Sequence, residues 1–348
     1  MVMKKILLIL LLLFIVTAGI FSWQSLTSGT GFEEKSRYLV VEEGRNTQKD
    51  VIQTLQQEHL VKHPGTFSLL ATTWGIWNKL KPGKYEIKKG DNLFSIARML
   101  RNNRQASIKL VINKLRVKED LAHLVGKNFN TDSVAVMNFL QSNDSLKPFG
   151  VDTNTVFTLI LPDTYSFYWN TSFNKILRKL ADTRNAFWSR NDRMQKARQL
   201  SFTPEEAYTL ASIVEEETNF ESDKSKIAGV YINRLGKDMP LQACPTIKYA
   251  MKDFTLTRIY EKYLGNPSPY NTYRKKGLPP GPICTPSPKT IDIVLNAPRT
   301  DYLYFVAKSD FSGYHHFSST YEEHMQYARE YQKALDAYMA KKQNSPEH

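Results

Sequence analysis

The chain opens on an unbroken apolar run, Ile6-Leu7-Leu8-Ile9-Leu10-Leu11-Leu12-Leu13-Phe14-Ile15-Val16, set behind Lys4-Lys5 and uncharged as far as Glu33. A stretch of this kind can cross a bilayer core of ~30 Å, and the flanking lysines favour a cytoplasmic N-terminus. A cleaved signal peptide has the same charged-then-apolar plan. With no good small-x-small cleavage site before Trp23, residues 1–25 read as a cytoplasmic stub and an uncleaved transmembrane anchor. Residues 26–36 are polar and rich in Ser, Thr and Gly, the composition of a tether. Beyond them the periodicity changes. Tyr38-Leu39-Val40-Val41 predicts a strand, Gly44 a turn, and Val51, Ile52 and Leu55 a helix. The same order returns at Tyr85-Glu86-Ile87, Lys89-Gly90-Asp91, then Leu93, Ile96, Ala97 and Leu100, with a weaker echo from Leu110-Val111-Ile112 to Leu121 and Leu124. Phe173 to Gln199 is helical and basic, a solvated face.

The sharpest local signal begins at Thr203. Thr203 caps, Pro204 suits the first helical position and Glu206 completes a capping box. The helix runs on from Ala207 to about Thr218, and its apolar positions Leu210, Ile213 and Val214 are continued by Glu217. At ~100° per residue, Glu216 falls off that stripe and Glu215 lies roughly opposite it. A carboxyl carried inward on an apolar face has its pKa raised by desolvation, as a general acid requires near neutral pH. The other reading is a helix that frays after Val214 and leaves all three acids in water.

Composition narrows the partners. The 348 residues carry 47 Lys+Arg against 34 Asp+Glu, a formal charge of +13, and a mean hydropathy of -0.42 excludes a polytopic membrane protein. Charge of this sign suits nucleic acid, an anionic membrane or an acidic polymer. With everything after the first helix outside the cytoplasm, nucleic acid drops out and cell-wall polymer or membrane surface remains. Cys244 and Cys284 are too few for a disulfide-dense scaffold; they could form one bridge joining two loops or stay separate thiols. His315 and His316, an adjacent pair without partners, make a poor metal site. No metal or other cofactor is expected, and no nucleophile elbow or phosphate loop is present.

Three resemblances bear on function. The segment Tyr85-Glu-Ile-Lys-Lys-Gly-Asp-Asn-Leu-Phe-Ser-Ile-Ala-Arg-Met-Leu100 resembles the LysM module, a small glycan-binding fold. Glu217-Thr218-Asn219-Phe220 has the Glu-Ser/Thr-x-Phe form that closes the catalytic helix of lysozyme-like lytic transglycosylases. The C-terminal half as a whole resembles the endolytic murein transglycosylases, the YceG-like family. The matching segments, in order, are Ala211-Ser-Ile-Val-Glu-Glu-Glu-Thr218, Val230-Tyr-Ile-Asn-Arg-Leu235, Leu241-Gln-Ala-Cys-Pro-Thr246, Ser268-Pro-Tyr-Asn-Thr-Tyr273, Gly277-Leu-Pro-Pro-Gly-Pro-Ile283, Tyr302-Leu-Tyr-Phe-Val306 and His316-Phe-Ser318. One departure stands out: many members have Asp just before the Pro-Thr where this chain has Cys244.

That resemblance implies a lyase. It would cleave the MurNAc-GlcNAc β-1,4 bond in nascent strands, leave 1,6-anhydroMurNAc ends and so terminate glycan elongation. It puts the catalytic acid on Glu217, the residue reached independently from periodicity. Asn233, Gln242, Thr246, Asn271 and Thr272 offer the hydrogen bonds that sugar hydroxyls and acetamido groups require. Tyr270 and Tyr273 could stack on pyranose faces, and Arg234 could pair with a lactyl or peptide carboxylate. For each of these, ordinary loop packing is the competing reading. His316, Ser318 and Glu323 are cleft candidates by resemblance alone. The implied partners are peptidoglycan strands, the membrane through the N-terminal helix, and peptidoglycan synthases. The implied location is the inner membrane, single-pass, with the catalytic part on its outer side.

The expected fold is α+β: an anchor over 1–25, a tether over 26–36, a LysM-like region over 37–110, a mixed α/β catalytic domain over 111–335 and a polar tail over 336–348. Two other functions fit the same residues. One is a muramidase that admits water to the same bond, and the other is a non-catalytic glycan-binding scaffold.

Overall fold

A computed structural model describes residues 2–27, 29–256 and 258–344. The chain forms two compact units, one from residues 1–110, 128–131 and 166–172, the other from 111–127, 132–165 and 173–348.

The first unit begins with α1 (Val2–Leu26). Residues Met3–Leu26 are long and apolar enough to cross a membrane, and side chains such as Leu7 and Phe14 are exposed along it. Its last turn is not free. Phe21 packs on the core of the unit, Ser25 is buried, and Gln24 accepts a hydrogen bond from Thr66 at 2.5 Å. The tether expected over 26–36 is therefore not one: Phe32 is buried and Thr30 bridges Val61. The Gly29 amide donates to the Asp91 carbonyl at 2.9 Å, and the Lys62 amide donates to the Gly29 carbonyl at 2.7 Å. Gly31 lies so close to the next segment that a Cβ there would stand 2.5 Å from the His59 carbonyl oxygen, so glycine is required by contact rather than for flexibility.

Strand β1 (Ser36–Val41) is followed by α2 (Gln48–Gln57), α3 (Pro64–Thr73), β2 (Gly83–Lys88) and α4 (Leu93–Arg101). β1 and β2 are antiparallel, with Ser36 opposite Lys88 and Val41 opposite Gly83. Alternation along them buries Leu39, Val41, Tyr85 and Ile87 against Val51, Leu55, Phe67, Leu93, Ile96 and Leu100. Thr47 and Asp50 form a capping box on α2. Asn92 caps α4 after a turn in which Gly90 takes a positive φ of 89°. α3 went unread in the sequence because its apolar residues, Phe67, Leu69, Leu70 and Ala71, are bunched rather than periodic. β3 (Ser107–Ile112) pairs with β4 (Asp163–Tyr168), and the chain passes between the units within both strands.

The second unit is mostly helical: α5 (Lys118–Asn128), α6 (Ser133–Leu140), the short α7 (Asn143–Leu146), α8 (Phe173–Trp188), α9 (Arg193–Gln199), α10 (Pro204–Glu217), α11 (Glu221–Gly236), α12 (Cys244–Met251), the short α13 (Glu261–Leu264), α14 (Pro288–Leu295) and α15 (Tyr321–Asn344). An antiparallel hairpin, β5 (Tyr304–Ala307) with β6 (His315–Ser318), precedes α15. Residues 336–344 of the expected polar tail continue α15, and 345–348 lie outside the described residues.

α10 is the axis of this unit. Thr203 accepts from the Glu206 amide while the Glu206 carboxylate accepts from Thr203, closing the expected capping box with Pro204 at the helix start. Every residue from Ala207 to Val214 is buried, packed by α9, α11, α12 and α14. The Tyr208 hydroxyl finds the Ile160 carbonyl at 2.5 Å, and that of Ser212 finds the Thr209 carbonyl at 2.7 Å. A helix wrapped on all sides has no water-facing stripe. Nor does the helix fray after Val214 and leave the three acids in water: it runs to Glu217, and Glu215, Glu216 and Glu217 are all half-buried.

Candidate active site

Three consecutive acids end α10, and the structure gives each a different partner. Glu215 accepts from Lys224 of α11 at 2.6 Å and from the hydroxyl of Thr290 on α14. Lys224 itself is 7% exposed, so this ion pair is an internal pin between α10, α11 and α14. Glu216 turns the other way. Arg116 holds it with Nε at 3.2 Å and Nη2 at 2.9 Å, and Lys114 adds a contact at 3.2 Å. Burial works to raise the Glu216 pKa, but the Arg116 hydrogen bonds and the Lys114 charge prevail and hold it below the usual carboxylate range.

Glu217 accepts from a hydroxyl instead of a cation: the buried Tyr231, on α11, donates to Oε1 at 2.5 Å. Burial raises the Glu217 pKa from an ordinary 4.5 to about 7, against the Tyr231 hydrogen bond and the Lys248 ammonium and with the help of the Glu216 charge. The backbone then leaves the helix at once, with Thr218 extended at φ -155° and ψ 157°. The carboxyl therefore stands at a helix terminus, half-buried, protonated for much of the time near neutral pH and able to give up that proton.

α12 packs against α10. Cys244 and Lys248, one turn apart on it, both act electrostatically on Glu217 or feel its charge. The Cys244 sulfur lies 3.1 Å from the Tyr273 hydroxyl. Burial pushes both the Cys244 thiol and the Tyr273 phenol up, so both stay neutral. Cys284 is buried elsewhere, its Sγ donating to the Ser212 carbonyl at 3.4 Å, and the two cysteines are separate thiols.

Most of the polar residues expected to meet substrate are engaged in holding loops. Asn233 gives its amide to the carbonyls of Thr300 at 2.8 Å and Tyr302 at 2.9 Å. Arg234, 7% exposed, donates to Leu303 at 2.7 Å and Leu241 at 2.9 Å and lies over the Tyr304 ring. Gln242, exposed and at a positive φ of 53°, accepts from Arg234 at 3.3 Å. Thr246 and Thr272 are buried hydroxyls 2.9 Å apart, and the Ala243 amide donates to Thr272 at 3.0 Å. Asn271, also buried, gives its amide to Leu264 at 2.9 Å and Asn266 at 2.7 Å. His316 stacks flat on Tyr327 at 4.2 Å. Ser318 is buried, its carbonyl accepting from the Leu303 amide at 2.9 Å. The β5–β6 hairpin meets the site through Phe305, whose ring packs edge-on against Tyr231 at 5.9 Å.

Glu217, Cys244 and Tyr273 are thus gathered into one cluster with Tyr231 and Lys248, and Arg234 with Gln242 braces it from behind. Tyr270 faces Tyr249 instead, with centroids 4.6 Å apart. Sequence reasoning passed over Tyr231 and Lys248. Both lie in or beside quoted motifs, and helical spacing could have flagged Lys248 as one turn beyond Cys244. Nothing in the sequence pointed to Arg116 or Lys114.

Comparisons with known proteins identify the family. Residues 39–330 match the YceG-like family, and the chain belongs to it. A Bacillus subtilis (strain 168) protein named endolytic murein transglycosylase is 37% identical over 187 residues, 53% of this chain and 48% of the relative. A Streptococcus pneumoniae (serotype 2, strain D39) protein of the same name is 27% identical over 318 residues, 82% of this chain and 56% of that one. The chain thus spans about half the length of these curated relatives. The crystal structure of a YceG-like protein from Listeria monocytogenes aligns with a TM-score of 0.55 at 25% identity, covering 84% of this chain and 99% of that one.

Proposed function

We propose that the protein is an endolytic peptidoglycan lytic transglycosylase. The observation that carries this reading is the division of labour among the three acids. Glu215 and Glu216 are committed to cations, while Glu217 is left with a hydroxyl partner and a pKa of about 7. Ordinary glycosidases need two working carboxylates; one acid suffices when the substrate supplies its own nucleophile. Glu217 donates its proton to the glycosidic oxygen of the leaving N-acetylglucosamine as the C1–O bond breaks. The C6 hydroxyl of the same muramoyl residue attacks C1, forms the 1,6-anhydro bond and returns its proton to Glu217. No water is consumed, and the acid ends in its starting state.

The name shared by the two curated relatives supports the assignment. In this reading α1 is a single-pass anchor in the cytoplasmic membrane and the remainder works on its outer side on nascent strands. The strand–turn–helix around Gly90 serves as a LysM-like glycan contact, and peptidoglycan synthases are neighbours in the same process. Asn233, Arg234, Gln242, Thr246, Asn271 and Thr272 act mainly by holding loops in place, and Tyr273, beside Cys244, is nearer to the substrate.

The test is product chemistry. The full-length protein in detergent is incubated with purified peptidoglycan, and the released muropeptides are weighed. Fragments one water lighter than hydrolysis yields, lost in Glu217→Gln, are the expected result. Hydrated reducing ends would make it a muramidase, and no release from either nascent strands or whole sacculi would leave a glycan-binding scaffold.

A further inference from the structure

A cavity of about 300 Å³ shares no residue with the Glu217 cluster. Its wall carries Lys118, Glu119, Gln141, Asn154, Lys252 and Tyr270. α12 links the two places: Lys248 acts on Glu217, and the next residue, Tyr249, lines the cavity and leans on Tyr270. The wall is also buttressed. The Gly277–Ile283 loop lies on it so closely that a Cβ at Gly281 would stand 2.1 Å from the Asn154 carbonyl oxygen and 3.3 Å from the Tyr270 hydroxyl.

The charges in this cavity are poorly spent. Lys252 and Glu119 are 3.6 Å apart but well exposed, at 73% and 56%, and a pair of that kind contributes little and exchanges readily. Lys118 is half-buried, and among the described residues no carboxylate lies within ion-pair distance of it. Burial disfavours its ammonium, which Glu119 and Asp152 oppose only at longer range. A bound carboxylate would offset that cost.

Neutral amides and an aromatic face alone would suit a sugar. Cations and an anion set beside two side-chain amides suit a ligand that carries ammonium, carboxylate and peptide groups together. We propose that this cavity is a recognition subsite for a short zwitterionic peptide, the peptide arm carried by the glycan. Identifying the peptide as that arm rests on the function proposed for Glu217.

The experiment is calorimetric titration of the full-length protein in detergent with a synthetic murein stem tetrapeptide and, separately, with a peptide-free disaccharide of the same glycan. Wild type and Glu217→Gln are expected to bind the tetrapeptide alike. Lys118→Met should weaken it by about ten-fold, the loss of one charge-assisted contact. Should Lys118→Met not fold, Glu119→Gln at an exposed position takes its place, with weakening in the same direction expected. A wild type that binds the disaccharide but not the tetrapeptide overturns the proposal, as do variants that bind as wild type does. Tetrapeptide binding without anhydro products would sink the catalytic reading and sustain the subsite; anhydro products without tetrapeptide binding would do the reverse.

Discussion

The hydroxyl of Tyr231 and the Oε1 of Glu217 stand 2.5 Å apart, joined across the turn between α10 and α11. Tyr231 is itself buried, and its pKa is pushed well up by that burial and by the Glu217 charge, so it stays a donor. The pair sets when Glu217 carries a proton, and the first expectations follow from it.

Activity on peptidoglycan should decline as pH rises through about 7, where the carboxyl of Glu217 loses its proton. A rate profile of kcat/KM between mildly acid and mildly alkaline buffer reads this directly. A plateau extending well into the alkaline range would exclude Glu217 as the acid.

Tyr231→Phe removes a hydrogen bond that favours the charged carboxylate. The Glu217 pKa should then rise further, moving the alkaline limb to higher pH, while kcat drops by roughly ten-fold or more from lost orientation of the acid. The pH profile separates this effect from simple damage to the fold, which would leave the limb in place.

Cys244→Asp would put a second carboxylate where the thiol now stands against Tyr273. Like charges disfavour joint ionisation, so the alkaline limb should again move up. Cys244→Ser, of similar size and neutral, should leave it unmoved.

Glu217→Gln should stabilise the protein in a pH-dependent way. The folded pKa, about 7, lies above the ordinary 4.5, so the folded form holds the proton more tightly. Relative to Gln, the native side chain costs nothing below the unfolded pKa. The cost grows as pH rises and is complete above the folded value, reaching at most about 3 kcal/mol. Thermal melts of both proteins at acid and alkaline pH measure it, and an equal Tm difference at both would contradict it.

Arg116→Ala should act with the opposite sign. The Glu216 pKa is lowered, so the pairing stabilises the fold above the unfolded pKa and that contribution disappears as pH falls through the folded value. Arg116 is 38% exposed at its side chain, so a loss of about 1–2 kcal/mol at neutral pH is expected, less than for a fully buried pair. Chemical denaturation at neutral pH and in acid tests whether the difference shrinks on acidification.

What the sequence disclosed, and what it withheld, follows from the range of the interactions. The start of α10 was legible because Thr203, Pro204 and Glu206 act on one another within a single turn. The strand–turn–helix at Tyr85 was legible for the same reason, through Gly90 and Asn92. Glu217 was singled out because it continues the spacing of Leu210, Ile213 and Val214, although burial all round α10 from Ala207 to Val214 leaves no single apolar stripe there. The partners of Glu216 were not, since Arg116 lies 100 residues away. Polar side chains such as Asn233 and Asn271 were read as substrate ligands because their donors are visible in the sequence. The backbone carbonyls that engage them are not. The segment after α1 was misread for a related cause: its Ser, Thr and Gly look like slack, but the bonds that pin it are made by main-chain amides.

That pinned segment has a mechanical consequence. A leash would let the first unit roam through a hemisphere whose radius grows with linker length. With Phe21 and Ser25 seated in the body of the unit and Gly29 bonded on both sides, little rope is left to pay out among the described residues. If α1 is the proposed membrane anchor, the first unit is held close against the bilayer and left to spin and drift in two dimensions. Its search would then be confined to a thin sheet of space just above the lipid.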